Sequence, residues 1–484
     1  MTSHAQSQGA ALSEEEQQQW DAIGVEEKAL PKPAKGKKPD KEILAQIRDV
    51  RARKKDFLSS LSEEKRAALT APPPPKKDPK KKESDPEKEH LARVEALRAF
   101  RVVDEAQEES TANVADAKAE ATCELVDIGI NIQSRFKKVE IRHQLERAWA
   151  AGVSRAILTG CSLKSSRQGL LLCHAWHNVP LAKLPSVLTL SPASGTENKG
   201  AEKYPRDGFK NTPLRLYATV GVHPHDAKEL VNEKTGVDAD KLRTLREMAA
   251  SPFCVSLGEC GLDYDRMFSP MESQKLAFDA QVALAADLQR PLFVHLRERD
   301  ADRGEPLGAV QHAAEILQKY ADRLDPSRIC VHCFTGDTAD LEALTSKGYC
   351  IGLTGYVGMK NRASGTGTLD AIADEARLSL DRLMIETDSP FMRPDKSYFP
   401  EETGFRKARN NEPAAMPAVC RAVAAAFAGG QYTAGEVARR TTANAMRFFD
   451  FESADATILD LCATSAPESS AASAPSLPPP AAAE

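Results

Sequence analysis

From Glu124 onward, short apolar runs alternate with amphipathic stretches of helical length, and this alternation narrows the possible folds more than any other feature. The runs Leu125–Asn131, Arg155–Thr159, Leu216–Val222, Val255–Glu259, Leu292–His295, Ile329–His332, Cys350–Thr354 and Leu383–Thr387 read as buried strands. Between and after them, Lys137–Ala151, Ser273–Gln289, Leu307–Asp322, Ala339–Lys347, Ala414–Ala428 and Thr433–Phe449 read as helices. Strand and helix in strict turn mean a parallel sheet with right-handed crossovers. Eight such strands fit a closed (β/α)8 TIM-type barrel, whose usual size is about 250 residues plus insertions. One insertion is visible at 185–212, a Ser-, Gly-, Asn-, Lys- and Pro-containing stretch before the third strand, expected to loop over or beside the barrel. A doubly wound open sheet competes, but no G-x-G-x-x-G follows the first strand, which counts against a dinucleotide-binding version.

The flanks have another composition. Residues 1–120 carry few large apolar side chains and many Lys, Glu, Ala and Pro, the signature of a mostly disordered, solvated arm. Helices are possible over Asp40–Leu69 and Pro86–Val103. Two basic blocks, Lys32–Lys38 and Lys76–Lys82, admit a sharper reading as a nucleic-acid tether or nuclear localisation signal, weakened by interleaved Glu83 and Glu87. Residues 453–484 form an Ala/Ser/Pro tail expected to be disordered. The barrel domain is therefore placed at 121–452.

Several function classes drop out. A net charge of −5 gives no bulk electrostatic case for nucleic acid, so any such case rests on local patches. Ten cysteines without regular spacing suit a reducing compartment, and Cys330-Val-His-Cys333 lacks the second pair a zinc finger needs. No apolar run approaches a membrane span, and Met1-Thr-Ser-His-Ala-Gln has neither the basic region nor the apolar core of a secretory signal. A cytoplasmic or nuclear protein is expected; oligomeric state is not legible.

The strand ends carry the chemistry. Val255-Ser-Leu-Gly-Glu259 delivers a glutamate, Pro291-Leu-Phe-Val-His295 and Ile329-Cys-Val-His332 each a histidine, and Leu383-Met-Ile-Glu-Thr-Asp388 an aspartate. In such a barrel all C-terminal strand ends converge on one face, so these sequence-distant residues become neighbours. One Asp, one Glu and two His form a divalent-metal ligand set, and a bound cation is the economical reason to bury unpaired carboxylates. Gly221-Val-His223-Pro-His225-Asp226 places two histidines just past the third strand, to bind a phosphate, shuttle a proton or cap the next helix. Asp263 is a candidate partner orienting a histidine. Arg297 is either a fork for phosphate oxygens or half of a structural ion pair. Asn411 and Glu412, ahead of Pro413, either cap that helix or line the cleft.

These residues resemble the TatD family of metal-dependent deoxyribonucleases. The likeness runs in order through Val126-Asp-Ile-Gly-Ile-Asn131, Gly221-Val-His-Pro-His225, Gly258-Glu-Cys-Gly-Leu-Asp263, Pro291-Leu-Phe-Val-His-Leu-Arg297, His332-Cys-Phe-Thr-Gly336, Ile385-Glu-Thr-Asp-Ser-Pro390 and Asn411-Glu-Pro413. The resemblance covers about 124–450 and implies a metal-dependent hydrolase barrel that removes nucleotides from DNA, at 3′ ends. It also implies that Glu259, His295, His332 and Asp388 hold metal. Many family members carry His-x-His at the end of the first strand, where this chain has Gly129 and Asn131, as in a recognised branch of the family. Gly129 cannot ligate and Asn131 offers a neutral oxygen, so Asp127 and Asn131 are the candidates for a weaker second ion. Arg299, where the family usually has a small residue, adds charge beside the cleft.

The expected function is phosphodiester hydrolysis of DNA with one or two divalent ions, Mg²⁺ or Mn²⁺ favoured and Zn²⁺ allowed. Asp388 is the expected general base, Glu259 a ligand, and His223 or His225 the group that stabilises developing charge or protonates the leaving oxygen. Two rivals remain: a hydrolase of another bond, such as an ester on D-aminoacyl-tRNA or a cyclic amide, and a non-catalytic barrel scaffold for the basic arm.

Overall fold

The computed structural model describes residues 13–29, 41–62, 85–103, 122–179, 183, 186–189, 213–427 and 430–463. The chain divides into two compact units, Met1–Ser84 and Asp85–Glu484. The first contains helices α1 (Glu14–Ala29) and α2 (Lys41–Ser60), joined by a small apolar cluster of Ile23, Val50, Phe57 and Leu61, with Trp20 stacked on Phe57. Both basic blocks lie outside the described residues, as does the insertion at 185–212 apart from the short helix Ser186–Thr189.

In the second unit, eight parallel strands follow one another in chain order. They are β1 (Leu125–Ile130), β2 (Val153–Leu158), β3 (Arg215–Val220), β4 (Cys254–Asp263), β5 (Leu292–Arg297), β6 (Ile329–His332), β7 (Cys350–Leu353) and β8 (Leu383–Ile385). The ring closes just past β1 and β8: Asp388 N–H donates to Gly129 O at 2.9 Å and Asn131 N–H to Ser389 O at 2.7 Å. This is the (β/α)8 barrel expected from the alternation. Nearly every strand side chain is buried on both faces, because the inner ones fill the barrel and the outer ones meet helices.

The outer layer comprises α4 (Lys138–Ala150), α5 (Leu163–Trp176), α6 (Ala239–Ala249), α7 (Met271–Leu288), α8 (Ala309–Gln318), α9 (Thr338–Thr345), α10 (Met416–Ala426) and α11 (Ala434–Phe449). Their starts are written locally. Thr433 and Glu436 form a capping box at α11, and Asp238 accepts from the amides of Asp240 and Lys241 at α6. The strand read as ending at Glu259 continues to Asp263, because a register shift between Gly258 and Cys260 lets Gly261, Leu262 and Asp263 pair with His295, Leu296 and Arg297. That extension carries two carboxylates along one strand into the mouth.

Two helices flank this layer. Helix α3 (Pro86–Arg98), capped by Asp85, packs on α4: the His90 and His143 rings stack at 4.0 Å, and Leu97 and Phe100 bury against Phe399, Phe405 and Ala415. After the barrel, α12 (Phe451–Ala463) carries helical structure past residue 453, since Phe451 and Ile458 are buried and Asp455 pairs with Arg155 and Tyr217. No helix of the described residues is long and apolar enough to cross a membrane.

Candidate active site

Three imidazoles converge on one carboxylate oxygen. Glu259 Oε1 lies 2.8 Å from His332 Nε2, 3.0 Å from His295 Nδ1 and 3.3 Å from His223 Nε2. Glu259 and His295 come from the paired strands β4 and β5, and His295 sits opposite His332 in the β5–β6 register. His223 arrives from the turn that follows β3, where its Nδ1 accepts from the His225 amide. Burial pushes the Glu259 carboxyl up, but the facing His223 and His332 outweigh it and hold the group well below the usual carboxylate range. At His223 burial is the largest influence and, with the neighbouring His295 and His225, outweighs the Glu259 carboxylate, so the imidazole is lowered to about 4. His332 moves the other way: burial lowers it, while Glu386 and Glu259 raise it further than burial takes away.

Asp388 joins the group through Asn131, whose Nδ2 donates to Asp388 Oδ1 at 2.8 Å. Burial first, then the Glu386 carboxylate, push Asp388 up to about 8. Its backbone and that of Cys333 are held at φ +48°, a left-handed conformation uncommon for residues other than glycine and found where a side chain is re-aimed at a strand end. Farther out, His225 Nε2 meets Asp263 Oδ2 at 2.7 Å, and the amides of Asp265 and Arg266 donate to Asp263 Oδ1. Burial pushes the Asp263 carboxyl up, but His225, the nearby His295 imidazole and the Arg266 amide outweigh it and leave Asp263 far below its ordinary value.

The other expected site residues lie elsewhere. Asp127 is fully buried, with its oxygens taken by Thr387 N–H, Thr387 O–H and Gly129 N–H, so the structure ties β1 to β8 with it and does not bring it to the cluster. Arg297 points at Asp265 at 2.9 Å and Asp300 at 3.1 Å, an ion-pair geometry. Asn411 is buried and donates to Thr387 O, fixing the end of β8. Glu412 makes no capping bond; Arg147 and Arg93 hold its carboxylate at 2.7 and 3.2 Å, joining α3 and α4 to the segment that enters α10.

Two neighbours carried no assigned role in the sequence reading. Glu386, fully buried, faces His332 Nδ1 at 3.2 Å and accepts from Cys333 N–H at 2.7 Å. It stands two residues before Asp388, a spacing that puts both on one side of an extended chain, and that was the available signal. Glu386 also explains Gly129: a Cβ there would overlap Glu386 Oε2. Cys161, just past β2, sets its Sγ 3.3 Å from both Glu259 Oε2 and Asn131 Oδ1. Nothing in its local sequence marks it.

The donor set fits a divalent cation. Ligand atoms of His223, Glu259 and His295 lie within 4.8 Å of one another, His332 Nε2 meets the same Glu259 oxygen at 2.8 Å, and the buried His295 Nε2 makes no hydrogen bond, with Asp263 Oδ2 3.5 Å away. Acid and imidazole ligands at the C-terminal strand ends of a (β/α)8 barrel define a metal-dependent hydrolase. The chain belongs to the TatD-related DNase family, whose model matches residues 126–450. It is 32% identical over 326 residues to the 3'-5' ssDNA/RNA exonuclease TatD of Erwinia tasmaniensis, covering 67% of this chain and all of that protein. It is 31% identical over 325 residues to the same-named protein of Pantoea vagans, covering 67% and 99%. A crystal structure of a TatD family hydrolase from Entamoeba histolytica shares the fold, with a TM-score of 0.50 at 20% identity over 67% of this chain and 98% of that one.

Proposed function

We propose that this chain is a metal-dependent exonuclease that removes nucleotides from the 3′ ends of DNA, with single strands of DNA or RNA as the substrate class. The observation that carries the reading is the meeting of three imidazoles on Glu259 beside Asp388, at the open end of the barrel. Glu259, His295, His332 and Asp388 would hold the ion, with His223 beside them and Asn131 as a neutral oxygen toward a second one. A bound Mg²⁺ or Mn²⁺ supplies Lewis acidity toward a phosphate oxygen and a water molecule, each leaving open positions for both. Asp388, whose Oδ1 is held by Asn131 Nδ2, is the candidate to accept the proton of the attacking water. His225, oriented by Asp263, faces the same mouth and is the candidate donor to the leaving oxygen. The nine described cysteines are all free thiols, in keeping with a reducing cytoplasm or nucleus.

One observation favours a second reading. Arg297 is engaged by Asp265 and Asp300, and a hydrolase of an ester or amide would not need it on phosphate. A single experiment separates the two. Metal-stripped protein is given 3′- and 5′-labelled single-stranded and duplex DNA, with Mg²⁺, Mn²⁺ or Zn²⁺ added back. Stepwise shortening from the 3′ end, dependent on metal and lost in Asp388→Ala, supports the nuclease. No cleavage with any metal, together with turnover of an aminoacyl ester or cyclic amide, selects the alternative.

A further inference from the structure

A second feature lies on the same end of the barrel. The loops that follow β7 and β8 enclose a cleft of about 620 Å³ lined by Arg362, Arg393, Lys396 and Arg406, with Asp395 the one acid among its lining residues. Strands in a parallel barrel all point one way, so both loops leave the face that carries Glu259 and Asp388. The loops are knitted together: Asp395 N–H donates to Gly358 O, and Gly355 packs against Met392 and Pro394. Arg393 and Arg406 spend one N–H each on the carbonyls of Phe405 and Phe399, which fixes their guanidinium groups. None of the four cations forms an ion pair with a carboxylate among the described residues, whereas Arg147, Arg155, Arg297 and Arg377 elsewhere all pair with carboxylates. Four unneutralised cations held in one concavity constitute an anion site.

Between Asp388 and Arg393 the same loop carries an exposed aromatic. Phe391, 43% exposed, follows Asp388 by three residues, and its N–H donates to Asp388 O at 2.9 Å. The exposed guanidinium of Arg135 sits 4.6 Å from the Phe391 ring. A stacking surface followed by a row of cations is the arrangement that holds a single strand, with bases on aromatic faces and the backbone in a positive groove.

Resting on the exonuclease reading, we propose that this cleft is the track for the sugar–phosphate backbone upstream of the scissile bond. A base stacks on Phe391 beside Arg135, and the next phosphates lie against Arg362, Arg393, Lys396 and Arg406. The ligand class is single-stranded nucleic acid of several nucleotides. A duplex has no free base to offer Phe391, so the track also selects against it.

The test measures binding without turnover. The full chain, with chelator present, is titrated by fluorescence anisotropy with 5′-labelled oligothymidylates of three and twelve nucleotides over a range of salt. Arg362→Gln/Lys396→Gln removes two cations whose side chains make no hydrogen bond or ion pair among the described residues, and Phe391→Leu removes the ring. The wild type is expected to bind the twelve-mer more tightly than the three-mer. The double variant is expected to lose that gain and to lower the slope of log Kd against log salt by about 1.4, at roughly 0.7 per phosphate contact on a single strand. Phe391→Leu should weaken binding with the slope unchanged. An unchanged slope and length dependence in the double variant overturns the track, as does a wild type with no length dependence. If 3′ shortening persists while the slope does not move, the track falls and the nuclease reading stands. If the slopes move as expected and nothing is cleaved, the nuclease reading falls and the track stands.

Discussion

Replacing Gly129 by alanine tests what the first strand is doing in this site. A methyl group there would overlap Glu386 Oε2 and approach Phe293 Cζ to 3.3 Å. Glu386 is fully buried, and its oxygens already serve Cys333 N–H at 2.7 Å and His332 Nδ1 at 3.2 and 3.3 Å. Ordinary contact requires the carboxylate to retreat by roughly 1 Å or more, enough to break those bonds. Overpacking costs about 1–3 kcal/mol, and a lost hydrogen bond to a buried charged group about 1.5–3 kcal/mol, so Gly129→Ala should destabilise the fold by about 2.5–6 kcal/mol. His332 also loses the carboxylate that orients its ring, and metal affinity should fall about 10- to 100-fold. Urea denaturation of metal-free protein reads the first effect, and competition with a chelating dye reads the second. In Glu386→Ala the methyl meets no carboxylate, so adding Gly129→Ala to that background should cost little more, a coupling of about 1.5 kcal/mol or above. Destabilisation below about 0.5 kcal/mol with unchanged metal affinity would refute the argument that Gly129 is small to admit Glu386.

Four further outcomes are expected. Glu259→Ala and Asp388→Ala should each abolish turnover while far-ultraviolet circular dichroism stays native; activity retained in both would remove them from the chemistry. Chelation should eliminate activity and lower the melting temperature, and excess Mn²⁺ should restore both, since a ligand that binds only the folded state stabilises it. Glu412→Ala leaves Arg147, 3% exposed, without its closest carboxylate but with Glu140 still at 3.1 Å, and should cost about 1.5–3 kcal/mol by denaturant titration. An unchanged midpoint would contradict the packed network of α3, α4 and the α10 entry. Asp340 has its carboxyl raised from 3.8 to about 6, by burial first and then by Asp337. The folded state therefore holds that proton more tightly than the unfolded chain, and stability is lost as pH rises from about 4 through 6. Asp340→Asn should be more stable than wild type by about 1–2 kcal/mol at pH 7.5, after discounting for solvent screening, and no more stable near pH 4. A gain that is equal at both pH values would exclude the linkage.

Much of the molecule is legible in order along the chain. Strand runs end in Glu259, His295, His332 and Asp388 because a buried parallel strand keeps its polar residues for the end that leaves the sheet. Their being neighbours follows from topology alone, once the alternation is taken as a barrel. Hydrogen-bond partners from distant segments were not legible. Arg297 reads equally as a phosphate fork or an ion pair until Asp265 and Asp300 are placed beside it. Glu412 looks like a cap or a cleft residue, yet its partners Arg147 and Arg93 are 265 and 319 positions away. Asp127 shares a strand face with Gly129 and Asn131, and only the closure of β1 against β8 gives its oxygens to Thr387.

The sequence by itself determined the period of the fold, the strand ends and the kinds of donor found there, because periodicity and side-chain chemistry are local properties. Tertiary structure decided which donor faces which. Gly129, read along the chain, is a ligand position with no side chain; in the folded barrel, Glu386 fills that space from the opposite side of the closure. Interatomic distances and burial set the balance of charge at Asp388, Glu259 and His332, and both exist only after the ring has closed.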